Sequence, residues 1–252
     1  MINLKSKLKS KKVLFGSWIT IPDINIIEIF TSFNFDWLCI DIEHTSISLN
    51  QINKLVALIE SKNIIPLVRI GEKNNNLIKR IMDCGAHGII VADVRSHKEA
   101  KDVIDAVKYP PFGKRGVGLY KAQKYGKEFE KYQKWLKNQC FIIPQIEHYE
   151  AINNLEEIIN LKDIDGIMVG PYDLSGSLGK PGKFKDKKYL NCLKKINKIV
   201  KKSNKYLGIH SVSSKPEDCN KFINKGYNFI ACSLDTIFLM NNIDEYLKKI
   251  KR

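Results

Sequence analysis

Two carboxylates close two consecutive apolar runs in the middle of the chain. Glu147 ends Gln145-Ile146-Glu147 after Phe141-Ile142-Ile143, and Asp173 lies in Gly170-Pro171-Tyr172-Asp173-Leu174-Ser175 after Gly166-Ile167-Met168-Val169. Oxygen ligands on neighbouring strand ends, completed by water, suit Mg²⁺ or Mn²⁺, and Co²⁺ can use the same donors. Either acid alone would read as a surface loop acid or a helix cap; the pairing favours a metal. Two earlier strand ends add Asp41-Ile42-Glu43-His44 and Arg69. Imidazole changes charge near neutral pH, so His44 is a candidate for proton transfer, with a structural hydrogen bond as the equal alternative. Arg69 ends Pro66-Leu67-Val68-Arg69-Ile70. A guanidinium there is costly to bury without an anion. It either pairs with a core carboxylate or faces substrate oxygens, and the second reading is preferred. These groups together point to metal-assisted chemistry on a small oxyacid.

Trp18, Gln145, Gly170, Tyr172, Asp173 and His210 are the further strand-end residues expected to line a substrate site, beside Asp93 and Asp235. Backbone amides of the 170–179 segment can cradle a carboxylate. That segment lacks the Gly-Lys-Ser/Thr ending of a phosphate loop. No strand-like run carries a lysine near its carboxyl end, which argues against imine chemistry and for a metal. His87, His97 and His148 fall in or near helix-like segments and read as solvated.

Such groups need a frame that brings strand ends to one face. Eight strand-like runs are present: Leu14–Ile19, Trp37–Ile42, Ile64–Ile70, Gly88–Val94, Phe141–Ile146, Gly166–Val169, Tyr206–Ser211 and Phe229–Ser233. Most are continuously apolar, as expected of strands covered on both faces of a parallel sheet. Amphipathic segments alternate with them: Asp23–Phe33, Leu49–Ser61, Asn75–Cys84, Ser96–Val107, Tyr149–Asn160, Lys187–Ser203, Lys215–Asn224 and Asn242–Lys251. The alternation predicts a single (β/α)₈ TIM barrel over residues 1–252. An open doubly wound sheet is the alternative, weakened because no Gly-x-Gly-x-x-Gly follows the first strand. The long connection at 109–138 is expected to cover the active face, with a short helix at Glu128–Leu136.

The 252 residues are 44% hydrophobic, enough for a sizeable core. No apolar run reaches the roughly 18 residues of a membrane span, and Val13-Leu14-Phe15 is too short for a signal-peptide core. A cytoplasmic protein without a membrane partner is expected. Six cysteines, with no Cys-x-x-Cys pair, read as small buried hydrophobes in a reducing compartment. The net charge of +15 comes from lysines spread over every helix-like segment, with only five arginines. A nucleic-acid surface would more often gather arginine with aromatics, so no nucleic-acid partner is expected. The charge favours anionic substrates.

The motifs GSW (16–18), FDWLCIDIEH (35–44), VRI (68–70), IMDCGAHGIIV (81–91), YPPFGKRGVG (109–118), QIE (145–147), GPYDLSGSLG (170–179) and FIACSLDTIFL (229–239) resemble the HpcH/HpaI aldolases, class II pyruvate aldolases. The resemblance implies a barrel of the pyruvate-kinase-like phosphoenolpyruvate/pyruvate type. It implies a divalent metal on Glu147 and Asp173, Arg69 on the substrate keto oxygen, and catalytic His44 paired with Asp83 of a neighbouring subunit. Amides around Tyr172 and Asp173 would hold the pyruvate carboxylate. It further implies a homo-oligomer, a hexamer or trimer, with the helix at 242–251 exchanged between subunits. The implied reaction is reversible cleavage of a 4-hydroxy-2-oxo acid to pyruvate and an aldehyde. An acyl-CoA lyase or Claisen-type enzyme, or a non-catalytic anion-binding barrel, is the alternative. Three positions depart from the family pattern: Tyr172, often small; Ala92, often proline; and His210, often aliphatic. Tyr172 and His210 bear on the pocket and hence on substrate identity.

Overall fold

A strand without polar alternation is stable only where both of its faces are covered. The apolar runs of this chain meet that condition in the computed structural model, which describes residues 12–250. They form β1 (Leu14–Ile19), β2 (Trp37–Asp41), β3 (Ile65–Ile70), β4 (Gly88–Val91), β5 (Phe141–Ile146), β6 (Gly166–Val169), β7 (Tyr206–Ser211) and β8 (Phe229–Leu234). Neighbours pair in parallel in chain order, and β8 returns to β1 through Leu14–Phe229 and Gly16–Ala231. Closure of the sheet excludes the open doubly wound alternative. The fold is a (β/α)₈ TIM barrel.

The helices are α1 (Ile24–Thr31), α2 (Leu49–Ser61), α3 (Asn75–Asp83), α4 (His97–Val107), α5 (Phe129–Gln139), α6 (Tyr149–Asn153), α7 (Leu155–Asn160), α8 (Pro171–Ser177), α9 (Lys187–Val200), α10 (Pro216–Asn224) and α11 (Asp235–Lys249). Their local causes are legible. Ser48 and Gln51 form a reciprocal capping box at the start of α2, which buries Ile52, Leu55, Val56 and Ile59 against the barrel. Asn74 accepts from the amides of Asn76 and Leu77 to start α3.

Three expectations about the helices need correction. Tyr149–Asn160 breaks into α6 and α7 at Asn154, whose side chain instead donates to the Arg95 carbonyl at 2.8 Å. Residues 171–177 form a helix outside the expected set; Pro171 occupies the first turn, where its missing N–H costs nothing. The last helix begins at Asp235 rather than Asn242, and Lys251 lies outside the described residues.

The connection between α4 and β5 joins a helix end to a strand start and is anchored on α2 and α3. Arg115 donates to the Tyr132 hydroxyl at 2.9 Å, that hydroxyl donates to the Met82 carbonyl at the end of α3, and Lys121 donates to the Asn53 carbonyl of α2 at 2.6 Å. Tyr109, Arg115 and Gln123 are buried there.

All six cysteines are free thiols, and Cys39, Cys84 and Cys140 are buried. The fold brings Cys219 and Cys232 to an Sγ–Sγ distance of 3.7 Å. Among the described residues no helix is long and apolar enough to cross a membrane.

Candidate active site

A parallel barrel turns position at a strand end into position on one rim. That rim holds a cavity of about 200 Å³ which brings together Trp18, His44, Arg69, Gln145, Gly170, Tyr172, Asp173 and His210. Glu147 adjoins it: its Oε2 accepts from the Gln145 amide, and a side chain at Gly170 would overlap it. Asp83 is not brought to this rim. It ends α3 and borders another cavity with Arg80, Cys84 and Tyr120. Its Oδ1 is buried without a hydrogen-bond partner. Burial pushes its carboxyl up, against the nearby charge of Arg115.

Arg69 pairs with a core carboxylate, the first of the two readings open to it. Nε and Nη2 donate to Asp41 Oδ1 and Oδ2 at 2.9 and 2.6 Å, a two-point pair with a carboxylate that is 2% exposed. So the core-carboxylate reading, not the preferred one, describes its main contact. Yet the guanidinium also lines the cavity, with its carbon 4.5 Å from the Trp18 ring centroid and Nε 3.4 Å from Glu43 Oε2. Asp41 fixes the direction in which this cation faces the cavity. The pairing follows from register, since Asp41 and Arg69 are partners across β2 and β3.

The carboxylates of the rim repel one another. Burial pushes Glu147 up to about 7; the Gln145 hydrogen bond opposes this, and the charges of Glu43 and Asp173 add to it. Burial likewise raises Glu43, with Arg69 and His44 opposing and Asp41 and Asp173 adding. Glu147 Oε1 accepts from the Asp93 amide at 2.6 Å, which holds the carboxylate in place. His44 is largely exposed, with Nε2 3.7 Å from Glu43 Oε2. Tyr172 is 52% exposed and meets Phe184 edge-on at 5.0 Å between ring centroids. The amides of Tyr172 and Asp173 sit in the first turn of α8, where no intrahelical acceptor exists for them.

The donor set fits a hard cation. Glu147 and Asp173 are two oxygen donors whose mutual repulsion a divalent charge would relieve. Among the described residues no group of three or more His, Cys, Asp or Glu could hold a metal alone. Two protein oxygens with remaining positions for water and substrate is the arrangement Mg²⁺ and Mn²⁺ favour.

Glu43, expected at a strand end of the active face, sits between Arg69 and His44. Asp235 is structural: it accepts from the amides of Thr20 and Ile21 at 2.7 and 2.8 Å and ties β8 to the end of β1. His87 is buried rather than solvated, pairing with Glu60 at 3.0 Å and packing on Trp135. Its partner lies 27 residues away, which nothing in the local pattern signals.

The chain matches the model of the HpcH/HpaI aldolase/citrate lyase family over residues 14–242. A 2-keto-3-deoxy-L-rhamnonate aldolase of Escherichia coli O9:H4 is 28% identical over 249 residues, covering 98% of this chain and 92% of that protein. An HpcH/HpaI aldolase from Desulfitobacterium hafniense has the same fold, with a TM-score of 0.91, 25% identity, and coverage of 100% of this chain and 98% of that one. A family protein from Burkholderia cenocepacia superposes with a TM-score of 0.91 at 24% identity, covering 98% of this chain and 99% of the other. With its eight-stranded barrel and the match along most of its length, this chain belongs to the HpcH/HpaI aldolase/citrate lyase family and is a carbon–carbon lyase.

Proposed function

We propose that the protein is a metal-dependent aldolase that reversibly cleaves a 4-hydroxy-2-oxo acid to pyruvate and an aldehyde. The observation that carries this reading is the meeting of Arg69, His44, Gln145, Asp173 and the first-turn amides of α8 around one small cavity, with Glu147 beside it. Glu147 and Asp173 would hold the divalent cation, Mg²⁺ or Mn²⁺, which when bound supplies Lewis acidity at the keto oxygen of the pyruvate unit. The amides of Tyr172 and Asp173 bind the carboxylate.

Cleavage breaks the C3–C4 bond and moves its electron pair toward the keto group. Arg69, held in direction by Asp41, places positive charge where that electron density accumulates. The C4 hydroxyl gives up its proton to become the aldehyde, and C3 gains one to give pyruvate. His44 takes the hydroxyl proton. Asp83 of this chain does not reach its own His44, so the same pairing requires Asp83 of a second copy in a homo-oligomer. The exposed apolar side chains of α11, including Met240, Ile243 and Leu247, suit an exchange of that helix between copies. The pyruvate-kinase-like barrel subtype belongs to this same reading.

The test is pyruvate release from a panel of 4-hydroxy-2-oxo acids, with divalent metal and then with chelator. Release that metal restores and chelator removes is the expected result. A folded, metal-loaded protein that releases pyruvate from none of them would overturn the proposal.

A further inference from the structure

His210 stands on β7 where the family pattern often has an aliphatic residue, and its surroundings give it a definite chemical state. One imidazole nitrogen is engaged with the backbone of Ser233, a contact that favours a proton on that nitrogen. Nε2 is left buried with no hydrogen-bond partner. Burial and the Arg69 cation push the imidazole down to about 3, so it stays neutral and Nε2 keeps its lone pair. The ring packs edge-on against Trp18 at 5.6 Å between centroids, and the indole Nε1–H of Trp18 is likewise buried and unpartnered. Two residues that line the active-site cavity therefore each carry an unanswered polar atom, an acceptor on His210 and a donor on Trp18. Buried polar atoms normally find partners, and each one left without is costly. A hydroxyl can supply the donor that the imidazole nitrogen lacks.

The pyruvate unit cannot fill this role toward His210. Its carboxylate and keto oxygens are acceptors only. The aldehyde half can, and it has room: a second cavity of about 570 Å³, walled by Leu190, Leu193 and Phe222, shares Tyr172, His210 and Val212 with the active-site cavity. Resting on the aldolase reading above, we propose that His210 is a specificity-determining residue whose Nε2 accepts a hydrogen bond from a hydroxyl on the aldehyde half. The enzyme then prefers hydroxylated acceptor aldehydes to unsubstituted ones. The imidazole is too weakly basic to take a proton in this role; it selects and positions.

The experiment uses two matched aldehyde pairs, glycolaldehyde against acetaldehyde and lactaldehyde against propionaldehyde, in metal-supported addition to pyruvate. The readout is the ratio of kcat/KM within each pair. The wild-type ratio should favour the hydroxylated member by about tenfold or more, because its analogue leaves the buried acceptor unpaired. His210→Leu should bring the ratio toward one, and His210→Gln, which keeps an acceptor oxygen, should hold an intermediate value. Thermal melts confirm that each variant is folded, and either variant alone suffices for the comparison. An unchanged ratio in a folded variant, or a wild-type ratio near one, overturns the proposal. Deuterium exchange into the pyruvate methyl of the wild-type protein separates the two readings. Exchange with an unaffected ratio removes only the role of His210, whereas neither exchange nor addition removes the aldolase reading together with it.

Discussion

Replacing Asp41 by Asn removes the anion from a nearly buried ion pair and leaves the Arg69 guanidinium where it was. The pair is made at 2.9 and 2.6 Å, with 2% of the Asp41 side chain and 12% of the Arg69 side chain exposed. Removing one partner of such a pair costs about 3–5 kcal/mol, because the other charge is left buried and uncompensated. Glu43 lies 3.4 Å from Arg69 Nε and retains part of the attraction, which places the loss at the low end, about 3 kcal/mol. A domain of this size loses roughly 2–4 °C of Tm per kcal/mol, so Asp41→Asn should melt about 6–12 °C below wild type. Arg69→Met should fall by a comparable amount. The double variant should recover most of the loss, since an uncharged pair of similar volume no longer buries an orphaned charge. Pyruvate release should remain severely reduced in Arg69→Met and in the double variant, which separates the structural half of this residue from the catalytic half. Melts followed by circular dichroism test the cycle. An Asp41→Asn protein melting within about 2 °C of wild type, or a double variant no more stable than the singles, would refute the reasoning.

Adding Mn²⁺ at about a hundred times its dissociation constant should stabilise the fold by roughly 2.7 kcal/mol, a Tm rise of about 5–11 °C. Glu147→Gln should abolish that rise, and a wild-type melt indifferent to Mn²⁺, Mg²⁺ and Co²⁺ would remove the metal from Glu147 and Asp173. Ser48→Ala breaks the capping box in which Gln51 Oε1 accepts from the Ser48 amide at 2.8 Å. It should cost about 1 kcal/mol, seen as a melt lowered by about 2–4 °C with turnover retained. Gly16→Ala would drive a methyl group into the indole of Trp37, which is fully buried and stacked on Phe229 at 4.4 Å. The loss should be about 3 kcal/mol or more, and a melt equal to wild type would show that Trp37 can give way.

The strands were legible because a barrel strand is covered on both faces, so its apolar run needs no partner to be recognised. The rim residues were legible for a related reason: a residue at the carboxyl end of such a run reaches the rim whatever its lateral neighbours are. What depends on a lateral neighbour was not legible. Asp41 meets Arg69 because of the register between β2 and β3, and His87 is buried because Glu60 on α2 receives it. Neither relation leaves a mark in the local pattern of either residue. The 171–177 helix stood outside the expected set for a different reason. Its Gly, Pro and Ser residues have weak helix propensity, and it becomes helical where Pro171 starts a turn at the end of β6. Length alone says little about the 109–138 connection, whose anchors on Asn53 of α2 and Met82 of α3 depend on neighbours far away in the sequence.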